Sequence, residues 1–147
     1  MADTSTQREV ENWIRKYWLT LKFNQDFEQK KLTLVSGGRF EFDAVNKDDS
    51  IVINISTSSA KTSGGNLGSG KLQKIRADIY FLLLLPETVK RKLLVFTEPD
   101  MVNVCQNEKT KGRMPQNIEI CLVDLPENIR TKLNGAKKIA TKEMTSK

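Results

Sequence analysis

Ile51, Val52, Ile53 and Ile55 form a nearly continuous β-branched run, interrupted by Asn54. Strands with one wet face alternate apolar and polar residues, so a run like this marks a strand covered on both faces. A strand of that kind needs a packed layer on each side, which points to a sheet held between helices. The stretch before it supplies a neighbouring strand. Phe40, Phe42 and Ala44 alternate with Glu41, Asp43 and Val45, and period two sets Phe40 and Phe42 on one face, Glu41 and Asp43 on the other. Residues 46–50, with Lys47, Asp48 and Asp49, suit the solvated turn between the two strands. A buried Asn54 needs partners for its amide, either as a satisfied structural group or as part of a polar site.

The remaining elements follow from periodicity. Residues 3–23 read as a helix whose apolar stripe runs through Val10, Trp13, Ile14, Tyr17, Trp18 and Leu21, at three- and four-residue steps. Glu11 lies at the edge of that stripe. Residues 24–31 are polar and read as a connection. Residues 32–35 make a short strand, Ser36-Gly37-Gly38 a hairpin turn, and residues 39–45 its partner. Residues 51–57 continue the meander. A Gly/Ser/Thr-rich loop over residues 57–70 is expected to be flexible. Leu72, Ile75, Ile79, Leu82 and Leu83 then mark a helix over 71–85, ended by Pro86. On it Lys71, Lys74 and Asp78 share another face, with Lys74 and Asp78 at i, i+4. Strands at 92–97 and 118–123 flank a short helix at 101–109, and Pro126 opens a last helix over 127–142, with a frayed tail at 140–147. The fold class expected is therefore α/β: one domain of 147 residues with a central mixed β-sheet flanked by helices.

Composition narrows the chemistry. The chain has no histidine, and its two cysteines, Cys105 and Cys121, lack CxxC spacing. A zinc site or a histidine-dependent triad is thereby excluded. The N-terminal MADTSTQREVENW has neither the basic nor the apolar region of a secretory signal, so free thiols in a reducing cytoplasm are expected. No apolar run approaches the length of a membrane span. The net charge of +6 resides wholly in residues 71–147, and such asymmetry suits a polyanion partner as well as a solvated surface.

The element order αβββαβ, with acidic Asp43 on the second strand of the meander, resembles the PD-(D/E)xK nuclease superfamily and its restriction-endonuclease-like fold. The resemblance spans residues 3–123. It implies metal-dependent hydrolysis of phosphodiester bonds, with Mg²⁺ as cofactor and DNA as partner. The family pattern asks for an Asp on one strand, then an acidic residue, a spacer and a lysine on the next. Asp43 fits the first position, whereas Asn54, Ile55 and Ser56 stand at the other three. Two carboxylates would hold Mg²⁺ and a lysine would balance charge in the transition state. Here the resemblance implies a relocated site: Asp43 and Asn54 as ligands, Glu11 or Glu41 as the second carboxylate, and Lys71, Lys74 or Lys61 as the lysine. Lys61, Lys71, Lys74 and Arg76 would contact the nucleic-acid backbone. Working as a homodimer or with a partner subunit also accords with the resemblance.

Other readings stand beside this one. Asp43 could be a strand-end acid paired with Lys or Arg. Gly65 to Lys71, GNLGSGK, matches a phosphate-binding loop except that Leu72 follows where Ser or Thr would hold Mg²⁺. Glu98-Pro99-Asp100 reads as a turn and helix cap. The basic residues of the last helix suit either phosphate contacts or a solvated face. The alternative class of function is a non-catalytic protein–protein interaction module, or an inactive nuclease subunit.

Overall fold

The computed structural model of the chain describes residues 5–60 and 68–145, with Ser69 and residues 138–145 described for the backbone alone. Most of the loop expected over 57–70, Lys61 included, and the end of the expected tail lie outside the described residues. The elements in order are α1 (Ser5–Trp13), a π-helical segment (Ile14–Trp18), α2 (Leu19–Phe23), β1 (Phe27–Thr33), β2 (Arg39–Asn46), β3 (Ile51–Ser56), α3 (Ser69–Leu83), β4 (Arg91–Phe96), α4 (Pro99–Thr110), β5 (Ile118–Leu122) and α5 (Glu127–Thr145).

The five strands lie side by side in sequence order, β1-β2-β3-β4-β5. β1/β2 and β2/β3 pair antiparallel, and β3/β4 and β4/β5 pair parallel. The expected α/β class and mixed sheet are thus present. β3, at the centre, is buried from Ile51 through Ile55, as its β-branched run requires. Its residues split between two cores. Val52 packs with Phe42, Leu94, Ile75, Leu82 and Met101 on the side of α3 and α4. Ile51, Ile53 and Ile55 pack with Val10, Ile14, Leu19 and Leu133 on the side of α1, α2 and α5. Both crossover helices, α3 and α4, lie on one face, the arrangement produced by successive crossovers of the same hand moving in one direction.

Two expectations need correction. β1 is longer and earlier than residues 32–35, because most of the polar stretch expected as a connection is strand. It is an edge strand with Glu28 and Lys31 exposed, and edge strands carry charge where an inner one would be apolar. The helical stripe also changes phase. Val10 and Ile14 are buried, but the next buried residue is Leu19, while Tyr17 is 61% and Leu21 87% exposed. The π-helical segment explains this, since a wider turn inserts one residue into the repeat.

Candidate functional site

The site is built where β2 and β3 part. Glu28 of β1 pairs with Val45, but Lys30 pairs with Phe42, so β2 holds an extra residue around Asp43 and Ala44. This bulge inverts the facing of the strand. Phe42 and Val45 both reach the core under α3, while Ala44 turns to the opposite core, against the strict alternation expected from the sequence. The described β2/β3 register covers Ala44↔Ile53 and Val45↔Val52. Beyond it, the Ile55 N–H donates to Asp43 Oδ2 at 2.7 Å in place of a ladder bond. The Asp43 carbonyl accepts from Arg15 Nε at 2.6 Å, and Arg15 Nη1 also donates to Asn12 Oδ1. Arg15 belongs to the π-helical segment, so the local widening of the helix and the opening of the sheet meet at one residue.

Side chains from both helical layers converge on this opening. Glu11 comes from α1 on one face, and Lys74 and Asp78 come from α3 on the other. Lys74 Nζ lies 3.3 Å from Asp78 Oδ2. Burial pushes the Glu11 carboxyl up to about 7, with repulsion from Asp43 and Asp78 adding to it and the charges of Arg15 and Lys74 opposing it. Burial likewise raises Asp43, against the Ile55 hydrogen bond and the nearby Lys74 and Arg15 charges. Asp78 is raised by burial and by Asp43, against Lys74. Lys74 thus bears on all three carboxylates and Arg15 on Glu11 and Asp43, yet burial leaves each of the three raised.

The other residues singled out by sequence fall into place around this cluster. The charge of Lys74 bears on all three carboxylates, and that of Lys71 bears on Lys137. Asn54 is buried, and its Nδ2 donates to the Asp78 carbonyl at 3.4 Å, tying β3 to the helix that carries Lys74. Glu41 is exposed and accepts from Gln29 at 3.1 Å, and its charge also raises Asp43. Arg76 points elsewhere, bonding Glu108 of α4 at 3.1 Å. Of the GNLGSGK stretch, residues 65–67 lie outside the described residues, and Gly68 forms the N-cap of α3.

Sequence reading missed the parts played by Asp78 and Arg15. Asp78 was visible only as the i, i+4 partner of Lys74, since nothing local reveals that α3 lies over the open end of β2 and β3. Arg15 sits in a turn whose phase the regular 3.6-residue repeat misplaces. Glu98 is the N-cap residue of α4 but makes no side-chain cap. Its carboxylate instead binds Arg130 of α5 and, at 2.9 Å, Lys137.

Among the described residues no group of three or more His, Cys, Asp or Glu side chains is placed to hold a metal ion. No described helix is long and apolar enough to cross a membrane. No protein-family model, curated protein or solved structure matches the chain.

Proposed function

We propose that the chain is a cytoplasmic DNA-binding protein of restriction-endonuclease-like architecture, whose site at the opening of β2 and β3 hydrolyses phosphodiester bonds. The observation that carries this reading is the convergence of Glu11, Asp43, Asp78 and Lys74 from two helical layers onto one bulged strand. A cluster with more buried carboxylates than cations favours an added cation. The donor set fits a hard one such as Mg²⁺, which binds through one or two carboxylates and otherwise keeps water. Glu11 and Asp43 would hold it, and when bound it would supply a Lewis acid and an activated water. Lys74, whose side chain is 68% exposed, is free to swing from Asp78 to a phosphate oxygen and offset its charge. Arg15 and the Ile55 N–H keep Asp43 in place. Asn54 supports the site through α3 rather than standing in for the missing acid.

The second reading is an interaction module or inactive nuclease subunit. It is favoured by Asn54 and Ser56 at the β3 positions and by the exposed Val35, Tyr80 and Leu83. These apolar groups belong to neighbouring segments, since the Val35 N–H donates to the Leu84 carbonyl at 2.8 Å.

Cleavage of supercoiled plasmid and of branched DNA with Mg²⁺ or Mn²⁺ separates the readings, run beside Asp43→Asn, which keeps an acceptor for the Ile55 N–H. Cleavage lost in the variant is the expected result. DNA binding that weakens steeply with salt, without cleavage, would mark a non-catalytic DNA-binding descendant. Absence of both would leave the interaction module.

A further inference from the structure

A cleft of about 300 Å³ separates α1 from α5, with Val10 and Ile129 among its apolar walls. Trp13 and Tyr17 line the same cleft, their ring centroids 6.5 Å apart and their planes inclined at 41°. The Tyr17 ring is exposed because the π-helical segment carries it off the buried stripe. Two ammonium groups, those of Lys16 and Lys132, stand at the cleft. Lys132 is held by Glu9 at 3.2 Å, with both side chains more than 60% exposed, a weak pair that a phosphate can displace.

We infer that this cleft receives an unpaired nucleobase of the nucleic acid. The inference rests on the nucleic-acid reading of the neighbouring site and narrows its substrate to strands with at least one base out of the stack. Its volume lies at the low end for small-molecule sites, which suits one planar ring system and not a peptide helix. An aromatic wall combined with flanking cations matches a base and its phosphates, because every base offers a π-face for stacking whatever its identity. A paired base hides both its faces and its pairing edge, so only an unpaired one can enter. Asn12 lines the cleft and accepts from Arg15, which in turn donates to the Asp43 carbonyl. Two hydrogen bonds therefore join the cleft to the carboxylate site.

Trp13 and Trp18 are the only tryptophans, so the full chain carrying Trp18→Phe reports on the cleft by fluorescence. It is titrated with an oligothymidylate, an abasic oligomer of equal length and a fully paired duplex. The oligothymidylate is expected to quench Trp13 and the abasic strand to leave it nearly unchanged. Tyr17→Ala, at an exposed position, should weaken oligothymidylate binding about tenfold, the effect of losing one stacking contact. Equal quenching by the abasic strand, or an affinity unmoved by Tyr17→Ala, overturns the base pocket while leaving nucleic-acid binding intact. Failure of all three to bind overturns the pocket and the nucleic-acid reading together.

Discussion

Two ionic clusters among the described residues, one at Glu98 and one at Asp43, are built in opposite ways. At the start of α4, the single carboxylate of Glu98 meets Arg130 and Lys137, and also accepts from Thr97 Oγ1 at 2.8 Å. Burial raises the Glu98 carboxyl, but these donors outweigh it and hold it below the usual range. At the opening of β2 and β3, carboxylates outnumber cations and every shifted one goes up. The first cluster is complete and ties α5 to the rest of the fold. The second holds carboxylates whose ionised forms burial disfavours, a cost that protonation or a further cation relieves. Such a contrast makes the second cluster the candidate functional site.

The largest effect expected from this contrast is on stability at Glu98. Glu98→Ala leaves two half-buried cations without their partner and should cost about 3 kcal/mol in urea unfolding at pH 7. Asp43→Asn should cost less, about 1 kcal/mol or under, because it removes repulsion while keeping an acceptor for Ile55. Comparable losses at the two positions would erase the distinction.

pH dependence sharpens it further. Glu11 titrates near 7 when folded and near 4.5 otherwise, so its contribution to stability is full below 4.5 and is lost as pH rises through 7. Glu98 is shifted downward, so its contribution is present above its ordinary value and is lost as pH falls through the lower folded one. Glu11→Gln should thus raise stability at pH 8, by roughly 1 kcal/mol once solvent screening is allowed for, and flatten the limb of the profile that falls between 4.5 and about 7. An unchanged limb in thermal melts from pH 5 to 8.5 would contradict the assignment.

These contrasts were only partly legible in the chain. The run from Ile51 to Ile55 announces a central strand, and the helices follow from apolar spacing, because both signals are local and periodic. Asp43 stands out for the same reason, an acid on a strand beside that run. What lies hidden is every feature that breaks a period. The bulge at Asp43, the wide turn carrying Arg15 and the charged edge strand β1 each violate the repeat used to find them. Asp78 and Glu98 escape for a different cause: the charges they meet beyond their own helix, Asp43 for the one and Arg130 and Lys137 for the other, come from elements far away in sequence.

The smallest effect belongs to the surface. Lys132→Ala breaks the exposed pair with Glu9 and should move the unfolding midpoint by less than about 0.5 kcal/mol. That makes it a control for the two buried clusters. A loss of several times that size would mean that α1 and α5 depend on this pair.

Calorimetric titration with Mn²⁺ at pH 6.5, in two buffers of different ionisation enthalpy, goes most directly to the proposal that the cluster at Asp43 binds a divalent cation. Saturable binding with release of protons is predicted, since an added cation ionises Glu11. Asp43→Asn should abolish it, and Lys132→Ala should leave it unchanged. No saturable binding, or the same binding and proton release in Asp43→Asn, would contradict the account.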